Sequence, residues 1–395
     1  MRKPFLPALS ASVPAARSAA TVAITVVMAA VFAGGISFIS SAIAAPQQTS
    51  SQHSSRHILS RNTSSQHTSS QNTSSPPLSR KLATSLNAHK YSATIALCDQ
   101  TLRTQPNNFD AYLYRSEAEL ITDQREKAIA DAGHAIELNP SYIKPYVIQS
   151  QSLLLADTHE QGIAECTELS EKEPFAPAPY FYRALFYLLT DKSKEAIVDL
   201  DRALTLKPPM GLRAWICGAK FSAYKSLNEK REAMFSFREA VTGLNKQMGL
   251  YPEDLSILYI RGVITHFADK PTSDFEKTIA SKPGPVLEYL SRHVIAAQEI
   301  GKKHYTEAEK LLEKNIVLWP RHPSAYGLLA GCQTSNGRAD KAAATLARIT
   351  MLNPVLAGTY VTRMGYYHKI GKLPMFNYSA PQAIPRTKSP QRTSK

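Results

Sequence analysis

Acidic residues are missing from both ends of this 395-residue chain. Residues 1–98 hold eight Lys or Arg and no Asp or Glu, and residues 341–395 hold nine and none. The formal net charge of +14 therefore sits at the ends, because residues 99–340 carry 29 bases against 32 acids. That distribution offers no basic domain face, so nucleic acid is not an indicated partner. Cysteine is scarce too. Cys98, Cys166, Cys217 and Cys332 are far apart and form no CxxC, so neither a zinc site nor a disulfide framework is indicated. Glycine-rich phosphate loops are also absent: there is no GxGxxG, and Gly211 and Gly218 lack the Lys-Ser/Thr ending of a P-loop. His159-Glu160 opens like a zinc-protease motif, but Ile163 stands where the second ligand is needed. GxSxG does not occur. No catalytic residue, metal set or cofactor site emerges, and the chain does not read as an enzyme.

What is present begins with an address. Arg2, Lys3 and Arg17 precede the apolar run Thr21–Phe32, and Gly34, Gly35 and Ala42-Ile43-Ala44 follow. A basic flank, an apolar run, a breaker and an A-x-A site describe a secretory signal peptide over residues 1–45. The rival is an uncleaved anchor, since Ala19–Ile39 is uncharged over 21 residues and long enough to span a bilayer core. Both readings keep the positive flank inside and put residues 46–395 outside a bacterial inner membrane: periplasmic, at the cell surface or secreted. Residues 46–78 are rich in Ser, Thr and Gln and have almost nothing apolar to bury, so they read as a disordered linker.

From residue 79 onward single prolines keep time. Pro106, Pro140, Pro174 and Pro208 are 34 residues apart, and Pro252, Pro283, Pro320 and Pro354 continue less regularly. Proline ends a helix because it lacks an N–H and restricts the residue before it. A proline at each 34th residue therefore marks helix pairs ending at a fixed period. Other positions hold the same register: Tyr112, Tyr146 and Tyr180; Ala128, Gly162 and Ala196; Ala135, Leu169 and Ala203. Asp123, Asp157 and Asp191 fall where the two helices of a pair turn.

This pattern resembles the tetratricopeptide repeat family, whose unit is a 34-residue helix–turn–helix. In unit 109–140 Tyr112 stands at the large aromatic position, Ala128 and Ala135 at the small ones and Pro140 at the terminal proline. The resemblance covers residues 79–373 and implies an all-α, right-handed superhelical solenoid of about eight repeats, with a last helix over 355–370. Unit 211–252 is long, with an extended second helix near Glu229–Lys246. Unit 253–283 is short by about three residues, a loss expected in its turn at Asp269–Ser273. Gly162 replaces the usual alanine, at a propensity cost of about 1 kcal/mol.

The family's geometry puts the fifth and ninth residues of a unit on an exposed inner wall. Here these are Leu113 and Glu117, Val147 and Gln151, Phe181 and Leu185. A groove with Leu113, Val147 and Phe181 in line is expected to accept an extended peptide or a helix of another protein. Residues 374–395 form a basic, proline-containing tail that reads as disordered, with an anionic envelope surface as its possible contact. The resemblance implies a non-enzymatic interaction scaffold of the cell envelope. Two alternatives stand beside it: a polyanion- or envelope-binding protein acting through its basic ends, and a recruiting subunit of an enzyme complex.

Overall fold

The computed structural model describes residues 78–156 and 158–352. They form sixteen helices in eight consecutive pairs, with no strand among the described residues. The first four pairs are α1 (Leu78–Asn87) and α2 (Tyr91–Thr104), α3 (Phe109–Ile121) and α4 (Arg125–Leu138), α5 (Lys144–Leu154) and α6 (His159–Lys172), and α7 (Pro177–Leu189) and α8 (Ser193–Thr205). The last four are α9 (Met210–Ser226) and α10 (Lys230–Leu250), α11 (Ser256–Phe267) and α12 (Asp274–Ala280), α13 (Pro285–Gly301) and α14 (Tyr305–Leu318), and α15 (Pro323–Ser335) and α16 (Ala339–Leu352). The expected last helix over 355–370, the terminal segments and Asp157 lie outside the described residues.

The sequence signals do the work expected of them. Pro106, Pro140, Pro174, Pro208, Pro252, Pro283 and Pro320 each fall in the connection from one pair to the next. Within pairs the turn needs one left-handed residue. His89, Asp123, Asp191, Asn228, Asp269, Lys303 and Gly337 supply it, with φ between 55° and 72°. Asp and Asn tolerate this region because their short polar side chains bond locally. The repeated tyrosines have a second task. Tyr146, Tyr180 and Tyr326 donate their hydroxyls to the carbonyls of Pro140, Pro174 and Pro320, at 3.1, 3.4 and 2.7 Å. Each ring fills the seam between pairs while its polar tip satisfies a carbonyl beyond the helix end.

Small residues set the helix spacing. Ala128, Ala135, Ala196 and Ala203 are fully buried. At Gly162 a Cβ would stand 2.1 Å from Cζ of Phe186. The glycine is therefore a fitted partner of a large ring and not merely a weak helix former.

Arginine clasps in the second, fourth and sixth pairs tie each to the pair before it. Arg115 forks onto Asp131 through Nε and Nη2 at 2.5 and 2.8 Å and reaches Asp99 of the preceding pair at 2.6 Å. Arg183 grips Asp199 at 2.7 and 2.8 Å and reaches Thr167 at 3.2 Å. Arg261 repeats this with Asp274 and Asn245, all at 2.8 Å. Such bidentate pairs fix orientation as well as adding charge-assisted bonds.

Three pairs break the period, the seventh through a 17-residue first helix, α13. In the fifth, both helices are long, 17 and 21 residues. In the sixth, the expectation about the turn needs correction. The second helix, α12, has only seven residues, whereas 268–273 is an extended connection. Pro271 and the Thr272 hydroxyl that accepts from Asp274 N–H delay the helix start.

The two helices of a pair are buried differently. Nine of the eleven residues of α5 are buried, against four of the fourteen in α4. From α3 onward, first helices form an inner layer with most residues buried, whereas α1 buries only Leu82 and Leu86; second helices form an outer layer with one wet face. A single apolar cluster runs from Leu113 to Cys332, as expected where stacked units share one core. All four cysteines are free and buried, and burial pushes the Cys98, Cys166 and Cys332 thiols up to about 12. None of the described helices is long and apolar enough to cross a membrane.

Candidate binding surface

The six residues expected on an open inner wall are not open. Leu113, Glu117, Val147, Gln151, Phe181 and Leu185 are each at most 3 % exposed. The structure brings them to the inner layer, where the resemblance put them, but covers them with the chain itself. Phe181 packs edge-on against Trp215 of the next pair, with ring centroids 4.8 Å apart. The expected exposure is corrected for a physical reason: the neighbouring pair fills the seam at Phe181, and remote pairs close onto Glu117 and Ile143.

The closure has a polar seam. Tyr91 O–H donates to the Leu318 carbonyl, 227 residues away, at 3.4 Å. Gln247 Nε2 donates to the Ser141 carbonyl at 2.6 Å. Asp254 accepts from the Ile143 N–H at 2.5 Å and from the Ser256 hydroxyl. Burial raises the Asp254 carboxyl, and the bonds from Ser256 and Ile143 and the Lys144 charge oppose that rise. At the rim, Arg321 and Asp123 form an exposed ion pair at 2.9 Å.

At the centre of this seam lie Glu117 of α3 and Lys144 of α5, an ion pair at 2.7 Å that is almost wholly buried. Both charges are also bonded to main chain. Lys144 Nζ donates to the Pro283 carbonyl at 3.0 Å, and Glu117 Oε1 accepts from the Val286 N–H at 3.1 Å. Burial works against the Lys144 charge, but Glu117 and Tyr114 outweigh it and its pKa ends above the usual value. Gly284 lies between the two bonds with φ 97°, and a Cβ there would stand 2.6 Å from Glu117 Oε1. Only glycine takes that conformation and that approach without strain. Lys144, Asp254 and Gly284 carried no periodic signal; the Pro283-Gly284-Pro285 run was the one visible mark.

Two other sites lie among the described residues. Tyr289 O–H lies 2.7 Å from Ser324 Oγ and 2.8 Å from His322 Nδ1, which is itself 2.8 Å from the Ser324 hydroxyl. His293 stacks on Tyr289 at 5.7 Å. Burial lowers His293 to about 4; burial and then the His293 charge lower His322 to about 3. A hydroxyl beside an imidazole is a nucleophile–base geometry, but this set is sealed inside the inner layer, so it packs and orders α13 against α15. Beside the shortened α12 a shallow cleft of about 340 Å³ is lined by Asn245, Arg261, Thr265, Thr272 and Asp274. Its Arg261 is already spent on Asp274 and Asn245.

Residues 299–356 match the tetratricopeptide-repeat family model. No curated protein matches the chain. Among solved structures, a thermophilic TPR protein of Thermus thermophilus aligns at TM-score 0.28 and 20 % identity, over 48 % of this chain and 96 % of its own. Yeast Tom70 aligns at TM-score 0.34 and 15 % identity, over 72 % of this chain and 60 % of its own. The MamA protein aligns at 0.26 and 16 %, over 43 % and 94 %. The segment that matches the tetratricopeptide-repeat model, residues 299–356, thus lies within an array of eight helix pairs of helix–turn–helix design.

Proposed function

We propose that the chain is a non-enzymatic interaction scaffold of the cell envelope that holds segments of other proteins. The observation that carries this reading is the array itself: eight stacked helix pairs whose described hydroxyl–imidazole and thiol groups are all buried. Fold alone does not name a ligand, so the partner is specified only as a protein segment. The N-terminal address supports a place outside the cytoplasm, with residues 1–45 as a signal peptide or an anchor. A second reading rests on charge: the acid-free terminal segments suit an anionic envelope surface.

Crosslinking of the full chain in its native envelope, with and without residues 374–395, separates the two. Protein partners retained by the shortened chain support the scaffold. Loss of all partners with the tail, together with a steep fall in binding between low and moderate salt, supports the charge reading instead. Mass spectrometry of the mature N-terminus decides the address: a start at Ala45 means cleavage.

A further inference from the structure

We infer that the first helix pair is a proton-controlled gate: the carboxyl of Glu119, one acid too many around Arg115, fastens α1 and α2 to the array when neutral and releases them when ionised. The inference goes beyond the scaffold reading and does not depend on it.

Three carboxyl groups crowd one guanidinium at the joint between the first two pairs. Arg115 of α3 forks onto Asp131 of α4 and meets Asp99 of α2 at 2.6 Å. Glu119 stands one turn further along α3 and is 4 % exposed. Its Oε2 is buried with no donor within hydrogen-bond distance. From its own helix it faces Arg115, and from α4 it faces Asp131 and Lys127. From α2 it faces the Cys98 thiol, which also senses Asp99 and Asp131. A protonated Glu119 donates to Asp131, whereas an ionised one only repels it. Burial, and then the Asp131 charge, raise Glu119 to about 8 against the opposing Arg115 and Lys127. The other two clasps carry no such excess. Arg183 holds Asp199 with the Thr167 and Ser170 hydroxyls, and Arg261 holds Asp274 with the Asn245 amide. One turn beyond those arginines stand Tyr187 and Thr265.

The first pair is also lightly held. Leu82, Cys98 and Ala111 form an apolar cluster apart from the main core. Among the described residues, the polar ties from this pair to the others are Asp99 to Arg115 and Tyr91 to the Leu318 carbonyl. The Asp99 side chain is 45 % exposed, so its tie is weak unless Arg115 is free to hold it. A proton on Glu119 leaves Arg115 to Asp131 and Asp99. Without it, two carboxylates of the second pair repel Asp99, and withdrawal of α2 hydrates Glu119. The docked pair thus keeps a proton that the hydrated group gives up at the ordinary glutamate value. Docking is strongest below that value and weakens as pH rises to about 8, by up to about tenfold per pH unit.

Released helices of 10 and 14 residues are too short to keep their hydrogen bonds in water, so undocking is read as hydrogen exchange. The full chain is compared with Glu119→Gln, which keeps the shape of the neutral carboxyl. Exchange is measured by mass spectrometry at pH 5.5 and pH 8 and corrected for the intrinsic rate. In the unaltered chain, opening of residues 78–104 should rise at least about tenfold between the two pH values, while α7 and α8 stay protected. In Glu119→Gln it should stay constant. Unchanged protection of residues 78–104 at pH 8, their opening together with α7 and α8, or the same rise in the variant overturns the proposal. Should the variant not fold, the unaltered chain decides. A loss of protection with rising pH confined to residues 78–104 supports the gate; a loss shared with α7 and α8, or none, contradicts it.

Discussion

Gly162→Ala sets two rules against each other. In an exposed helix interior the change would stabilise by about 1 kcal/mol, because alanine loses less backbone entropy than glycine. Here the new Cβ would lie 2.1, 2.2 and 2.8 Å from three ring atoms of Phe186. Ordinary carbon contacts lie near 3.5–4.0 Å, so the ring must shift by more than 1 Å. Phe186 is fully buried, with His159 edge-on to its ring, and a close-packed interior does not yield that distance freely. Overpacking of this kind costs about 1–3 kcal/mol. After subtracting the propensity gain, the expected result is a net loss of up to about 2 kcal/mol. Urea unfolding followed by circular dichroism reads this as a lower midpoint at unchanged slope. Phe186→Leu should make room: the double variant Gly162→Ala/Phe186→Leu should be more stable than the sum of its single changes, by about 1 kcal/mol or more. A Gly162→Ala chain more stable than the parent would refute the packing argument outright.

Acid should weaken the array through His293 and His322. Both are held below the ordinary imidazole value, at about 4 and about 3, so below pH ~6.5 the unfolded chain takes up protons that the native one refuses. Stability from these two groups then falls with pH down to those values, at up to about 1.4 kcal/mol per unit for each histidine, while Glu119, raised by burial to about 8, works the other way; a pH 7 to 5.5 change in midpoint that is the same in the parent and in a His293→Gln variant contradicts the burial of His293. Arg183→Leu leaves the mostly buried Asp199 without its bidentate partner and should destabilise by about 2–3 kcal/mol. Lys172→Ala, which breaks an exposed pair with Glu168, should leave the unfolding midpoint where it was. The four thiols, buried and raised in pKa, should resist iodoacetamide in the native chain and react together in denaturant.

The repeat was legible because its signals are local. A proline, an aromatic six residues later and a small residue in the second helix recur within one unit, so a single reading frame exposes them. The Arg115–Asp131 and Arg183–Asp199 clasps obey the same frame, 68 residues apart, and could have been found by it. The sixth pair was misplaced in detail because a three-residue deficit does not say which element shortens. Closure was not legible at all. Gln247 to Ser141 and Tyr91 to Leu318 join residues 106 and 227 apart, and no periodicity records such contacts. Hence Leu113, Val147 and Phe181 were placed on the correct layer, while their exposure was misjudged. The same apolar side chains suit a groove or a sealed seam, and only the remote pairs decide which.

Closure is best tested by a distance in solution. With all four native thiols buried, spin labels can be placed on cysteines introduced for Gln124 and Arg321, beside the Asp123–Arg321 ion pair of the rim. Pulsed electron resonance on the full chain should give one short, narrow distance distribution, because the second pair and the connection before α15 meet there. A long or broad distribution would mean that the array stands open and that its inner wall is free.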